Sequence, residues 1–419
     1  MSLAGKAVLG VVLFSVIFWV ACNDAFRPIA QVIPVPGPDP GRLNRAFVLS
    51  TNGANIGGFT SIDTSGDTVV GIQYVGHQPA NQFVFQGGGR GFIANQIDDT
   101  VTALTPANLI AQPSTIPLPA GAAPGFLFTS VANFVWVTEP GLGRVGQISF
   151  NTNTLTNEIA VGSNPVYVAE TPSGQKVYVV NQGSNDVTVI QTVDGTVLGT
   201  IPVGSSPVAA VASSDGNFVF VADQGSNDVA VIDTTNDATV LTTIPLGASP
   251  SAITYDPGLR RVYTANTGSN SVSILRADQP SPTLPTLLTT VDVTAAPCGG
   301  SAPAQVAVLP DGSRAYVANT GSNNVCVITA LSNTVTKSIP VGTAPLSVAV
   351  SVDATRAYTA NSGSHDISII LTAGDTPLVD SSNNPVRPLA PKTDPNCVDP
   401  APPTPPVCTR MNPLSVTTR

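Results

Sequence analysis

The fold is decided by a repeat whose clearest copy is residues 207–246, PVAAVASSDGNFVFVADQGSNDVAVIDTTNDATVLTTIPL. Turns rich in Gly, Asn, Asp and Ser separate four apolar segments, which predicts four short strands joined by hairpins. The segments consist mainly of Val, Ile, Ala, Thr and aromatic residues, which suit a pleated, packed surface. Four strands in about 42 residues are typical of one blade of a β-propeller.

An aromatic residue marks the second predicted strand of each copy of this repeat. Its positions are Phe47, Phe92, Trp136, Tyr178, Phe220, Tyr263, Tyr316 and Tyr358. A proline precedes seven of them by 12 or 13 residues, at Pro79, Pro124, Pro165, Pro207, Pro250, Pro303 and Pro345. The fixed place of the aromatic favours packing between blades over stacking on a ligand. We therefore predict an all-β propeller of four-stranded blades.

The number of blades depends on how the ring closes. Eight aromatic-bearing strands favour eight blades, but the segment 35–40 before the first is too rich in proline to be an inner strand. An eight-bladed ring therefore needs an inner strand from a chain terminus, which would also remove two open sheet edges. Seven blades with surplus strands are the alternative.

Composition limits the partners and the chemistry. The net charge is -9 and the 17 Lys and Arg residues form no cluster, so we expect no nucleic acid partner. The chain has two His and three Glu residues and no Gly-x-Ser-x-Gly, His-Glu-x-x-His or phosphate-loop motif. We assign no catalytic residue and expect neither a cofactor nor a resident metal.

The N-terminal residues predict export. An apolar run from Ala7 to Ala21 follows Lys6 and has the length of a signal-peptide core. Residues 19–22, Trp-Val-Ala-Cys, resemble a bacterial lipobox that would lipidate Cys22, although Trp19 stands where that motif usually has Leu. An ordinary cleaved signal or an uncleaved anchor is the alternative. Either way, we expect an exported protein of the bacterial cell envelope, and the lipobox predicts a lipid anchor in the membrane.

The chain divides into four segments. We predict a signal peptide at 1–22, a Pro-rich tether at 23–45, the propeller at 46–373 and a Pro-rich tail at 374–419. Four cysteines remain after Cys22, an even number that permits two disulfides in an exported protein. The shared Pro-rich segment favours Cys397 and Cys408 as a local pair, which leaves Cys298 and Cys326.

The repeat resembles a known family at residues 316–323, Tyr-Val-Ala-Asn-Thr-Gly-Ser-Asn. This stretch is similar to the YVTN-type β-propeller repeat, and variants of its first four residues occur at 178–181, 220–223, 263–266 and 358–361. The match is strong from residue 164 to 371 and weaker from 46 to 163. The resemblance implies kinship with exported, surface-layer-like and lactonase-like propellers, but fold kinship does not transfer activity.

The candidate ligand-binding face consists of the turns between second and third strands, which a propeller places beside the connections between blades. Its residues are Asn185, Asp186, Asn227, Asp228, Asn270, Asn323, Asn324, His365, Asp366 and His77. They could bind a sugar, a peptide or Ca²⁺, although turns also favour these residue types for backbone reasons. Ring closure could bring His77 and His365 to one seam, where a shared metal or acid–base site is conceivable.

One further set of polar residues closes each second strand: Asn181, Asp223, Asn266, Asn319 and Asn361. We interpret them as caps that bond the backbone of their own loops, and a ring of polar groups near the top face is the alternative. Three functions remain open: an envelope-anchored binding or scaffold module for a protein or glycan partner at the cell surface, a lactonase-like propeller hydrolase, and a structural surface-layer or adhesion component.

Overall fold

A computed structural model describes residues 45–51, 56–86, 90–105, 113–237, 239–277, 284–390 and 410–418. Within these residues the strands form eight four-stranded antiparallel sheets, the blades of one propeller. The predicted all-β class and the favoured count of eight blades are confirmed. Cys22, the signal peptide and residues 23–44 of the predicted tether lie outside the described residues. None of the described segments forms a helix long and apolar enough to cross a membrane.

The first four blades use the following strands. Blade 1 contains β1 (Arg45–Thr51), β2 (Ile56–Asp63), β3 (Thr68–His77) and, as its inner strand, β32 (Asn412–Thr418). Blade 2 contains β4 (Pro79–Gln86), β5 (Arg90–Asn95), β6 (Thr100–Leu104) and β7 (Ser114–Pro117). Blade 3 contains β8 (Leu127–Thr129), β9 (Phe134–Glu139), β10 (Arg144–Ser149) and β11 (Thr154–Ala160). Blade 4 contains β12 (Pro165–Glu170), β13 (Lys176–Asn181), β14 (Asp186–Gln191) and β15 (Val197–Pro202).

The last four blades follow the same order. Blade 5 contains β16 (Pro207–Ala212), β17 (Phe218–Asp223), β18 (Asp228–Asp233) and β19 (Val240–Pro245). Blade 6 contains β20 (Pro250–Asp256), β21 (Arg261–Asn266), a 3₁₀ turn (Thr267–Ser269), β22 (Ser271–Arg276) and β23 (Thr286–Asp292). Blade 7 contains β24 (Pro303–Val308), β25 (Arg314–Asn319), β26 (Asn324–Thr329) and β27 (Thr334–Pro340). Blade 8 contains β28 (Pro345–Val350), β29 (Arg356–Asn361), β30 (Asp366–Leu371) and β31 (Thr376–Pro377).

The C-terminal strand closes the ring. β32 pairs antiparallel with β1, as Val48 with Val416, so the inner strand that blade 1 lacks comes from a terminus, as predicted. Residues 412–418, which the sequence analysis assigned to a Pro-rich tail, therefore form part of the propeller. Pairing across the two ends of the chain protects edges that an open ring would expose.

The repeated proline begins the inner strand and sets a local bulge. In blade 4, Pro165 pairs with Asn181 and Tyr167 with Val180, so the register shifts by one residue. The same shift follows Pro207, Pro250, Pro303 and Pro345. Proline has no N–H to donate, so it is tolerated at the first residue of a strand and at bulges.

The repeated aromatic residues lie in the core, as predicted. All eight have 0 or 1% of their surface exposed. In three seams the phenol also donates to an Asp in the next blade, with a basic side chain on the same carboxylate: Tyr178 with Lys176 on Asp237, Tyr316 with Arg314 on Asp375, and Tyr358 with Arg356 on Asp67. The last of these joins blade 8 to blade 1 at the closing seam.

One disulfide is described. Cys298 in the connection between blades 6 and 7 is bonded to Cys326 in the third strand of blade 7, with the Cα atoms 5.5 Å apart. Both cysteines are buried. Cys397 and Cys408, the predicted local pair, lie outside the described residues.

Candidate functional site

A cavity of about 910 Å³ lies at the axis of the ring. Residues from all eight blades line it, because the inner strands surround the axis. We define its mouth as the end at the face that carries the turns between second and third strands, here called the top face. Gln78, Gln96, Asn164 and Gln182 line that mouth.

The long amides at the mouth form two pairs. In blade 2 the Gln78 Nε2 donates to the Gln96 Oε1 at 2.7 Å, and in blade 4 the Asn164 Nδ2 donates to the Gln182 Oε1 at 3.0 Å. Each pair joins the residue before an inner strand to the residue after a second strand. An amide both donates and accepts hydrogen bonds, so the pairs can exchange their mutual bond for bonds to a ligand.

Two aromatic rings line the cavity between these amide pairs. The centroids of Phe126 and Tyr167 are 3.9 Å apart, and their planes differ by 33°. Burial raises the pKa of the Tyr167 phenol to about 12. The phenol therefore stays protonated at neutral pH and offers a neutral hydroxyl beside an apolar surface.

The cavity carries no formal charge on its described lining. Among the described residues that line it there is no Asp, Glu, His, Lys or Arg. Val166, Val208, Ile253, Leu346 and Leu414 supply much of the apolar surface. A charged ligand would lose hydration without gaining an opposite charge. The arrangement therefore suits an uncharged ligand with polar groups at its outer end.

The predicted Asn residues of the top face tie neighbouring blades together. Asn185, Asn227, Asn270 and Asn323 adopt φ between 51 and 62°, a left-handed conformation that Asn tolerates better than most residues. Their Oδ1 atoms accept the backbone N–H groups of Ser206, Ser249, Ala302 and Ala344 at 2.7 to 2.9 Å. These carbonyl groups already serve the fold, and each acts at its own seam.

The other predicted top-face residues also have partners inside their own blades. Asp186, Asn324 and Asp366 accept the amide of the strand-closing Asn, and Asp228 accepts the Ser226 hydroxyl. The Asn and Asp residues of the predicted face therefore make structural contacts that repeat from blade to blade, and these contacts do not converge on one pocket. The amide pairs and aromatic rings of the cavity were not predicted from the sequence. The residue type at each of these positions differs from blade to blade, so no repeated pattern marks them.

The two histidines have different surroundings. His77, half exposed, contacts Asp98 through its Nδ1 atom, 2.8 Å from Oδ1. The carbonyl group of His365 accepts the N–H of Ala390, so residues of the C-terminal segment cover that turn. In the described part of the chain no group of three or more His, Cys, Asp or Glu side chains is arranged to hold a metal ion.

The strand-closing amides bond within their own blade, as predicted, but to side chains of the turn and third strand and not to the loop backbone. The Asn181 Nδ2 donates to Asp186 at 2.7 Å and to Thr188 at 2.9 Å, across the turn to the third strand. Asn266 and Asn361 make the equivalent pair of bonds. All these Asn side chains are buried, so they belong to the interior and not to an open ring of polar groups.

Two blades have an acid at this position. Glu139 is buried, and neither carboxylate oxygen has a partner among the described residues. Burial, together with the Glu158 carboxylate, raises the pKa of Glu139 to about 7. Burial likewise raises the pKa of Asp223 to about 8, and the nearby Asp228 contributes. Both acids hold a proton more readily than an exposed carboxyl does.

Solved structures with similar folds have varied functions. A functionally unknown protein from Desulfotomaculum acetoxidans DSM 771 is 16% identical with a TM-score of 0.53, covering 83% of this chain and 98% of that chain. The dihydro-heme d1 dehydrogenase NirN, in complex with DHE, is 14% identical with a TM-score of 0.65, covering 83% and 77%. Virginiamycin B lyase from Staphylococcus aureus is 17% identical with a TM-score of 0.52, covering 67% and 90%. At these identities the likeness concerns the fold alone.

Sequence comparison identifies the family. No curated protein sequence matches the chain. The family model described as Lactonase, 7-bladed beta-propeller matches residues 137–245 and 241–393, which together are more than half of the chain. The description of the family gives seven blades, whereas the described strands here form eight. The matched residues do not include blade 2, the described strands of blade 1 or the inner strand of blade 3. The chain belongs to the family of lactonase-type β-propellers, of which it is an eight-bladed member.

Proposed function

We propose that this protein is an extracytoplasmic binding module whose central cavity takes an uncharged polar ligand, presented by a glycan or protein partner. The observation that carries the proposal is the uncharged described lining of the cavity, with paired amides at the mouth and Phe126 and Tyr167 behind them. Convergent polar groups around an apolar pocket are the usual composition of a ligand site. We also propose that the repeats are of the YVTN type.

The mouth is asymmetric, which supports discrete ligand binding over a purely structural role. Blades 2 and 4 contribute the two hydrogen-bonded amide pairs, and blades 3 and 4 contribute the aromatic rings. Blade 5 has Ser206 and Gln224 at the positions of an amide pair, and Gln305 on the inner strand of blade 7 also lines the cavity but accepts the Val348 N–H. At the equivalent positions blades 6 to 8 have the smaller Ser249, Thr267, Ala302, Thr320, Ala344 and Ser362. A surface-layer or adhesion component would be expected to use the outer surface of the ring. Its self-assembly into ordered arrays in solution would favour that alternative.

A lactonase-like hydrolase is the second candidate function, and the family description is what favours it. Hydrolysis of a lactone needs a group that activates water within reach of the carbonyl carbon. The described cavity lining has no carboxylate or imidazole for that role. Saturable turnover of lactones by the purified chain would overturn the binding proposal.

The test of binding is a comparison of single amide variants of the full-length chain. Arrays of neutral oligosaccharides and of uncharged peptides are screened first, and affinity for the hits is then measured by calorimetry. Gln96→Ala and Gln182→Ala should each weaken binding about tenfold, the loss expected for one or two hydrogen bonds. Gln175→Ala is the matched control, because this exposed amide lies in the turn between the first and second strands, on the opposite face. Equal affinities for all three variants would contradict a ligand site at the mouth.

We further propose that Cys22 carries a lipid that holds the protein at the cell envelope. The support is the sequence alone, Trp-Val-Ala-Cys after an apolar run. Metabolic labelling with a radioactive fatty acid should mark the wild-type chain and not the Cys22→Ala variant. Labelling of both, or of neither, would contradict lipidation at this residue.

A further inference from the structure

We infer that His77 and Asp98 form a subsite beside the cavity mouth that recognises a hydroxyl group of a carbohydrate ligand, which makes them specificity-determining residues. The inference rests on the binding function proposed above. It starts from a backbone contact that a serine makes in four blades and that blade 2 makes with different residues.

In four blades a serine of the top-face turn caps the connection that leads into its blade. The serine hydroxyl accepts the backbone N–H of a residue 21 positions earlier, at distances of 2.8 to 3.1 Å. The pairs are Ser184 with Ser163, Ser226 with Ser205, Ser322 with Ser301, and Ser364 with Thr343. A small hydroxyl is therefore sufficient for this structural contact.

Blade 2 replaces both members of that pair. Asp98 stands at the serine position, and its Oδ2 accepts the N–H of His77 at 2.7 Å. Its Oδ1 also lies 2.8 Å from the His77 Nδ1 atom, a contact that the serine pairs do not make. Gly76 permits this approach, because a Cβ atom there would lie 2.6 Å from Asp98 Oδ2. The backbone contact of the repeat is retained and an oriented imidazole is added to it.

The added contact fixes the chemistry that His77 presents. A carboxylate only accepts hydrogen bonds, so the Nδ1 atom must carry the proton that it donates to Asp98. The Nε2 atom of the neutral ring is then an acceptor, and a carboxylate behind the ring makes it a better one. The His77 side chain is 51% exposed, so a ligand can reach it. The fold does not require this acceptor, since four other blades lack it.

The neighbours of the pair favour a carbohydrate. His77 precedes Gln78 and Asp98 lies two residues after Gln96, the two hydrogen-bonded amides of the cavity mouth. Sugar hydroxyls donate and accept, so they match one imidazole acceptor together with amides that do both. The Phe126 and Tyr167 rings supply a surface on which the apolar face of a sugar ring can lie. An extended peptide would offer mainly N–H and C=O groups and would not need the imidazole.

The decisive variant restores the repeat. His77→Ser combined with Asp98→Ser recreates in blade 2 the Ser163–Ser184 pair of blade 4, so its thermal midpoint should match that of the wild-type chain. We expect the full-length double variant to bind the best oligosaccharide of a neutral hexose and N-acetylhexosamine array at least tenfold more weakly. Gln175→Ala, which changes an exposed amide on the opposite face, should leave this affinity unchanged.

Asp98→Asn provides the second measurement. The Asn oxygen can still accept the backbone N–H of His77, but the Asn NH₂ group would donate to Nδ1 and move the ring proton to Nε2. The Nε2 atom would then donate a hydrogen bond to a ligand instead of accepting one. Wild-type binding that is weakened by Gln182→Ala but unchanged by both blade 2 variants would overturn the subsite and leave the binding function standing. A wild-type chain that binds no sugar on the array would overturn the carbohydrate assignment, and binding of an uncharged peptide by the same chain would leave the binding function standing. If neither probe binds, the binding function fails as well.

Discussion

Blades 3 and 4 are neighbours with the same four-strand pattern, and they differ in how the second strand ends. In blade 4 the buried Asn181 bonds Asp186 and Thr188 on the third strand. In blade 3 the position belongs to Glu139, and the residue seven positions later on the third strand, where blade 4 has Thr188, is Gly146. A Cβ atom at Gly146 would lie 2.6 Å from the Glu139 Oε1. The larger acid therefore fits because its partner position has no side chain.

The difference shows that an acid at the end of the second strand accompanies a second change, the loss of a hydroxyl side chain seven residues later. Blade 5 shows the same combination: Asp223 ends the second strand, and the residue seven positions later is Ala230, which has no hydroxyl group. One Asp223 oxygen accepts the Gly204 N–H at 3.1 Å, and the other has no partner among the described residues. A buried polar group without a partner destabilises the folded state. Three experiments can break or sharpen this comparison.

The largest effect should be a pH dependence that blade 3 has and blade 4 lacks. Glu139 has its pKa raised from an ordinary 4.5 to about 7 in the folded protein. Below pH 4.5 the carboxyl is protonated in both states; between 4.5 and 7 the unfolded chain releases the proton first. The free energy of unfolding should therefore fall across this window, by about 3 kcal/mol at about 1.4 kcal/mol per pKa unit. In the Glu139→Gln variant this part of the decline should be absent.

Denaturant unfolding at a series of pH values measures this effect. Asp223 also has a raised pKa, about 8, so the wild type and the Glu139→Gln variant should both still lose stability towards pH 8. The quantity of interest is the difference between their free energies of unfolding at each pH. Asp194→Asn is the control, because Asp194 is an exposed carboxyl of blade 4 whose pKa the Thr196 N–H lowers. Parallel curves for wild type and Glu139→Gln would mean that Glu139 is ionised and solvated in the folded state.

The second effect tests the fit of Glu139 against Gly146. Gly146→Thr introduces the residue that blade 4 has at Thr188, and its Cβ atom would also lie 2.9 Å from Leu155 Cδ1. Overpacking of this kind should lower the free energy of unfolding by about 2 kcal/mol. Glu139→Asn in the same chain should restore much of the loss, because it recreates the blade 4 arrangement. A double-mutant cycle on the free energy of unfolding measures the coupling between positions 139 and 146. Additive effects of the two substitutions would mean that the two positions do not interact.

The sequence predicted the ring well because its determinants are local and repeated. The missing inner strand before Phe47 indicated closure by a terminus, and the fixed aromatic position indicated packing. The His77–Asp98 contact was not predicted, although its signal exists: aligning the repeats places Asp98 at the serine of the top-face turn, 21 residues after His77. The hypothesis of a shared site for His77 and His365 depends on the distance between their side chains across the seam, and the spacing of residues in a sequence does not give that distance. Phe126 and Tyr167 meet across a blade boundary, a contact that depends on how the blades tilt.

The smallest effect concerns the blade 4 side of the comparison. Thr188→Val keeps the shape of the side chain and removes the hydroxyl that accepts the Asn181 Nδ2 at 2.9 Å, while Asp186 still accepts the same amide at 2.7 Å. Loss of one of two acceptors should lower the free energy of unfolding by about 1 kcal/mol. Thr200→Val is the control, since Thr200 pairs with Thr188 on the outer strand and is exposed. Equal results for the two variants would mean that Asp186 alone satisfies Asn181. The absence of a hydroxyl side chain at Gly146 would then matter for the space that it leaves to Glu139, and not for a lost hydrogen bond.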